Sequence, residues 1–182
     1  MADTGRPSLR LPGASDPPDD PILAELFARI RAQRGHLLNI HRVAGHAPKL
    51  LRATAAFTRA MREEASVPRD LQELVIMRVA QVNNSAYEQS VHRPIAIDCG
   101  SSPEKVDAVA AWRESKLFDA RERAALGYVE QAARSGEVED ATFAALQQVF
   151  SPQEIVELTA IIAWYVGNAR QVRALRIVPE DT

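Results

Sequence analysis

From Pro21 almost to its end, this chain repeats apolar side chains with a helical period, and nowhere do they alternate at period two for long enough to build a strand. A chain so patterned is restricted to an all-α fold, and its punctuation divides it into about seven or eight helices. PILAELFARIRAQRG sets Ile22, Leu23, Leu26, Phe27 and Ile30 on one face, and Gly35 suits the C-cap. LLNIHRVAGH reads as a short helical or irregular connector. Pro48 then opens PKLLRATAAFTRAMREE, whose Leu50, Ala53, Phe57, Ala60 and Met61 form the predicted buried stripe, with Thr54 at its edge. After Val67-Pro68 comes a core helix over 69–82, apolar nearly all round. A second helix follows Asn83-Asn84; Pro94 is expected to kink or shorten it, and Cys99-Gly100 to end it. Ser101 or Ser102 with Pro103 starts the next. Capping boxes at Asp119-x-x-Glu122 and Ser151-Pro152-x-Glu154 open two more, the last over 152–175, and Asp140 is the predicted cap of the short helix between them.

Composition narrows the function classes. At 182 residues the chain reads as one helical domain over 21–182. It is preceded by an arm over 1–20, extended or disordered, that holds Pro7, Pro12, Pro17 and Pro18 with Asp16, Asp19 and Asp20. An arm packed on a neighbouring subunit is the alternative. A net charge of −2 gives no electrostatic case for nucleic acid or an anionic membrane surface. LTAIIAWYVG is far shorter than the roughly 20 apolar residues of a membrane span. The amino terminus lacks the apolar segment of a secretory signal, and one cysteine excludes an internal disulfide framework, so a cytoplasmic protein is expected. No glycine-rich phosphate loop or nucleotide fingerprint is present, and no cofactor is expected. His36, His41 and His46 stand at i, i+5, i+10, which scatters them around a helix, and no metal site is expected.

The chemistry concentrates in residues 70–100. Glu73 projects among Ile76, Met77 and Ala80, and a carboxylate there costs several kcal/mol unless it is compensated. An ion pair with Arg42, Arg52 or Arg170 would supply that compensation; an acid–base role is the other reading, for which burial should raise the carboxyl pKa. Ser85, Glu88 and His92 stack on one face of the next helix, with Glu88 and His92 an i, i+4 pair. His92 is either a satisfied core histidine or a proton shuttle. Glu88 either faces solvent beside Arg93 or brings a second carboxylate to the first, in which case the two pKa values split. Ser85 either caps the helix or acts on a substrate, and Tyr87 either orients a substrate oxygen or packs.

The run ELVIMRVAQVNNSAYEQSVH resembles the core motif of the carboxymuconolactone decarboxylase and alkyl hydroperoxide reductase D superfamily, a glutamate followed by Cys-x-x-Cys-x-x-x-His. The resemblance extends from about Leu37 to Leu175 and takes in GHAPKLLRA, DARERAALGYVE and SPQEIVELTAIIAWYVGNAR. Glu73 and His92 occupy the family's acid and histidine positions, while Ser85 and Glu88 replace both cysteines, which makes the chain similar to a non-redox branch. Cys99, fourteen residues after Ser85, matches neither cysteine and has no partner for a dithiol cycle. The resemblance implies an AhpD-like orthogonal helical bundle that self-associates as a homodimer, trimer or hexamer, with a pocket near subunit contacts.

Together these readings predict a cofactor-independent acid–base enzyme, a decarboxylase, lyase or isomerase acting on a small carboxylated lactone or aromatic-degradation intermediate. Glu73, His92 and Glu88 are the predicted catalytic residues. Tyr87, Ser85, Asn168, Arg170 and Asn39 are the predicted substrate-binding residues, and Glu157 is a surface or relay charge. A small molecule and further copies of the chain are the expected partners, with no nucleic acid and no membrane. Two alternatives stand beside this: an alkylhydroperoxidase-type peroxide reductase, disfavoured without the cysteine pair, and a non-catalytic oligomeric ligand-binding protein.

Overall fold

The computed structural model describes residues 9–180 and is all-α, with nine α-helices and no strand among the described residues. Its contacts divide it into two compact units, one of the described residues up to Arg59 together with those from Gln171 on, the other of Ala60–Arg170.

In the first unit, α1 (Pro21–Arg34) starts where Asp20 accepts a bond from the Leu23 N–H at 3.0 Å and stops at Gly35, whose φ of 81° lies in the left-handed region that glycine tolerates. Its predicted face is the observed one: Leu23, Leu26, Phe27 and Ile30 pack with Leu37 and Leu51, and Ile22 borders them. The connector contributes α2 (Asn39–Ala44), the helix beyond the predicted count. Residues 9–20 are not helical, yet they are held down: the Ala14 N–H donates to the Arg42 carbonyl at 2.9 Å, and Asp16 pairs with Arg31. Gly45 makes room for this strap, since a Cβ there would lie 2.9 Å from the Ala14 Cβ.

The third helix, α3 (Pro48–Arg59), overturns the predicted stripe, of which Met61 alone, in the turn that follows the helix, is buried. Leu50 is 60% and Phe57 42% exposed, while Leu51 is buried. The buried side is the one that carries Leu51, Ala55 and Thr58, about 80° to 160° around the helix from Leu50 and Phe57.

In the second unit a π-helical turn, Ala60–Glu64, leads to α4 (Arg69–Val82). Every α4 residue from Leu71 to Met77 is buried, and so are Val79 and Ala80. The helix packs against α5 (Ala86–Asp98) and α7 (Ala120–Arg134) and serves two apolar clusters. Val75, Ile76 and Val79 join Val129, Leu158 and Ile161 on one side; Leu74 and Met77 join Val106, Val109 and Leu126 on the other. Chain reversal between α4 and α5 uses Asn84 at φ 51°, with the Ser85 N–H donating to the Ala80 carbonyl at 2.8 Å. Pro94 neither shortens nor ends α5, which runs on to Asp98; Pro94 and Ser90 are both exposed, so the carbonyl that loses its helical donor faces water.

Farther on are α6 (Pro103–Ala108), capped by Ser102, α8 (Asp140–Gln147) and α9 (Pro152–Leu175). Asp119 and Glu122 form the predicted capping box, and Ser151 and Glu154 bond reciprocally in the same way. Asp140 is the first helical residue and not the cap, which falls on Glu139.

Candidate active site

All the groups of the site belong to the Ala60–Arg170 unit, on α4, α5, α9 and the π-helical turn. Glu73 sits on the fully enclosed side of α4 at 0% exposure. The i, i+19 separation brings His92 to it from α5, and Nδ1 stands 2.6 Å from Oε2 of Glu73. On the other carboxylate oxygen Arg69, one turn earlier on α4, donates through Nη2. The compensating cation is therefore this neighbour, not Arg42, Arg52 or Arg170. Burial alone would push the Glu73 carboxyl up, but the His92 hydrogen bond, the Arg69 charge and the Arg62 charge outweigh it and hold the group below the ordinary carboxylate value. This reverses the rise expected from sequence. An ionised Glu73 requires a proton on Nδ1, which fixes the imidazole tautomer and leaves Nε2 facing the other way.

Nε2 faces Glu88, whose Oε2 is 3.5 Å away; its Oε1 accepts a bond from the Asn168 side-chain amide at 2.8 Å. Glu88 is buried, so the solvent-facing reading is excluded. Its carboxyl is pushed up to about 7, first by burial and further by the Glu73 charge, with Arg62 and Asn168 pulling the other way. One imidazole thus bridges two carboxyls of opposite character, one held ionised and one divided between acid and base near neutral pH.

Tyr165 closes a third side, its ring meeting that of His92 edge-on at 5.0 Å and 89°. Its hydroxyl accepts a bond from Arg62 Nη2 at 2.7 Å, and burial pushes the phenol pKa up. Sequence reasoning missed both Arg62 and Arg69. The i, i+4 spacing of Arg69 to Glu73 was a usable signal for one; Arg62 lay on the face opposite the stripe taken as buried, so its helical phase pointed outward.

The remaining predicted residues separate. Ser85 is buried and caps α5, its Oγ accepting from the Glu88 N–H at 3.4 Å, which orients the turn that carries Glu88. Tyr87 is buried on α5, about 100° around the helix from Glu88. Asn168 reaches the cluster. Arg170, two residues further on, is exposed and turned about 200° away from it. Asn39 belongs to the other unit, where its side-chain amide donates to the Val178 carbonyl at 2.9 Å. Glu157 accepts from the backbone N–H groups of Ser66 and Val67 at 2.8 and 3.1 Å and so fixes the approach to α4. Cys99 ends α5, about 10 Å of helix axis beyond His92. Among the described residues no three His, Cys, Asp or Glu side chains are grouped to hold a metal ion.

The fold and this cluster define an all-α protein built around a buried carboxyl–imidazole–carboxyl cluster. Comparison with known proteins gives the family. The profile of the Carboxymuconolactone decarboxylase family matches residues 48–131, a span that holds Arg62, Glu73, Glu88 and His92. The uncharacterized protein YnjA of Escherichia coli K12 is 31% identical over 150 residues, 81% of this chain and 82% of that one. A solved structure of an uncharacterized peroxidase-related protein from Ralstonia eutropha JMP134, with an alkylhydroperoxidase AhpD core, superposes with a TM-score of 0.85 at 22% identity, covering 97% of this chain and 95% of its own. The debrominase Bmp8 in complex with 2,3,4-tribromopyrrole superposes with a TM-score of 0.82 at 22% identity, covering 93% and 90%. The chain belongs to the carboxymuconolactone decarboxylase family and has an AhpD-like fold.

Proposed function

We propose that this chain is a cofactor-independent acid–base enzyme, a decarboxylase or related lyase or isomerase acting on a small carboxylated lactone or aromatic-degradation intermediate. The observation that carries the reading is His92 standing between Glu73 and Glu88, one carboxyl at each ring nitrogen. Glu73 holds the imidazole and balances its charge when it is protonated. Glu88 and Nε2 pass one proton between them and to the substrate. In a decarboxylation the substrate's carbon–carbon bond to its carboxylate breaks, carbon dioxide leaves, and the electron pair stays on carbon as an enolate. The proton from Glu88 or Nε2 then completes the new carbon–hydrogen bond, and solvent restores it. Asn168 aims Glu88, and Ser85 and Tyr87 set the start of α5.

The test is carbon dioxide release from a panel of carboxylated lactones and β-keto acids. Glu73→Gln and His92→Gln should each cost about 100- to 10,000-fold in turnover, the usual worth of a positioned acid or base. Undiminished turnover in either folded variant rejects the assignment.

One further observation, the peroxidase-related naming of a close fold neighbour, favours a peroxide reductase. Ser85 and Glu88 in place of a cysteine pair weigh against it. Peroxide-dependent oxidation of a dithiol at the no-protein background rate is the expected result.

The proposal extends to a homo-oligomer in the cytoplasm. The exposed Leu50 and Phe57 on α3 support self-association, and the single cysteine suits a reducing compartment.

A further inference from the structure

Arg62 closes on no carboxylate at ion-pair distance, although the charges of Glu73 and Glu88 reach it and help keep it protonated. Its one hydrogen bond goes to a neutral group, the Tyr165 hydroxyl, and its Nε is buried with no partner. Arg78 and Arg121 also bury an unpartnered Nε, but each of them places its guanidinium against a carboxylate, Glu130 and Glu154. No carboxylate among the described residues closes on Arg62 as an ion pair. Glu73 is already taken on one oxygen by Arg69 and on the other by His92. Glu88 is taken by Asn168 and faces Nε2. With Glu88 protonated, Glu73 is the one carboxylate that the Arg62 and Arg69 guanidinium groups share. A buried guanidinium donor left without a partner is costly, and a ligand oxygen would satisfy it. The backbone points the same way: Arg62 rides on the π-helical turn, a rare element that occurs frequently at functional sites.

We propose that Arg62 is the anion receptor of this site, holding the carboxylate or enolate oxygen of a small organic monoanion between its guanidinium and the Tyr165 hydroxyl. This rests on the acid–base reading given above and adds to it the group that holds the substrate's charge. A bound oxyanion there lies beside the His92 ring, which Tyr165 touches, and so within the relay's reach. The same guanidinium stabilises the enolate that a decarboxylation generates, since the negative charge that enters with the substrate stays within the cluster when carbon dioxide leaves. The groups that set its pH response are Arg62 itself, Glu73 and Arg69 on α4, Glu88 and His92 on α5, and Tyr165 and Asn168 on α9. Of these, Glu88 gains its charge near neutral pH and then competes with the ligand for Arg62.

Isothermal titration with benzoate as the probe, benzamide as its neutral isostere and ionic strength held constant tests this without any turnover. Wild-type protein should bind benzoate and not benzamide, and affinity should fall as pH rises through about 7. Arg62→Met should weaken benzoate by about 10- to 100-fold, the worth of a charge-assisted hydrogen bond, and Arg62→Lys by less. Equal binding of benzoate and benzamide, no benzoate binding by wild type, or undiminished binding by Arg62→Met overturns the proposal. Should Arg62→Met fail to fold, the benzoate-to-benzamide ratio and the pH slope of wild type still decide. Failure of the relay reading shows elsewhere, as turnover that survives Glu73→Gln, and leaves these binding results standing.

Discussion

Glu88 carries a cost that its neighbours only partly relieve, and that cost is measurable. Its carboxyl is raised from 4.5 to about 7. Between those values the folded chain keeps a proton that the unfolded chain has released, so stability declines as pH rises through the window, by roughly 3 kcal/mol in all. Glu88→Gln keeps the bond from Asn168 and should be the more stable protein at pH 8, with the decline across the window removed in denaturant titrations. Glu73 behaves oppositely: its lowered carboxyl adds stability that is present at neutral pH and lost as pH falls through its folded-state pKa. Asn168→Ala removes a hydrogen bond that favours the charged form of Glu88. The limb of the pH–rate profile on which activity falls should then move above its wild-type position; an unmoved limb would detach Asn168 from Glu88. At this scale the sequence brought Glu73, Glu88 and His92 together and gave one of their properties the wrong sign. Spacing placed Glu73, Glu88 and His92 together, because i, i+4 and helix-to-helix register follow from residue types. The sign of the Glu73 shift did not follow, because it depends on Arg69 and Arg62 outweighing burial, and that balance exists only in three dimensions.

Helix starts and stops were legible where a side chain or a glycine performs the capping, as at Gly35, Ser102 and Asp119. Where backbone position alone decides, the boundary slipped by a residue, from Asp140 to Glu139. The face of α3 was misread for a physical reason. Leu50 and Phe57, the large apolar residues that set its apparent apolar stripe, are exposed, while the buried side carries Leu51 among small and polar residues. Arg62 was lost with it, since the phase of the whole segment had been set by Leu50 and Phe57. If that stripe joins copies of the chain, Leu50→Glu with Phe57→Glu should lower the mass seen by light scattering to that of a smaller species while leaving the helical circular dichroism unchanged. An unchanged mass would send self-association to another surface. Ser85→Ala should cost about 1 kcal/mol as a lost helix cap, and a larger effect on turnover than on stability would add a chemical role to the structural one.

Across the whole molecule, α4 is the member on which the site depends, because it is enclosed on every side and carries the ionised carboxyl. An all-α class was readable from periodicity alone, since nothing competed with it. The division into two units was not, because residues 171–180 return to the amino-terminal one, and a pairing that distant in sequence leaves no local pattern. Truncating Leu74, which is fully buried beside Met77 and Leu126, to alanine should cost about 2–5 kcal/mol. That loss should appear in denaturant unfolding together with a weaker response of Glu88 to pH, since both depend on the same enclosure. Loss of stability with the Glu88 titration unchanged would separate the core from the site.

The central claim is that one imidazole links a carboxyl held ionised to a carboxyl divided near neutral pH. It is tested most directly by following the side-chain carboxyl carbons of Glu73 and Glu88 by carbon-13 NMR across the acid and neutral range, with Glu73→Gln and Glu88→Gln for assignment. The account predicts that Glu88 titrates at about 7 and Glu73 below the ordinary carboxylate value. Two carboxyls titrating together near the ordinary value, or in the reverse order, would contradict it.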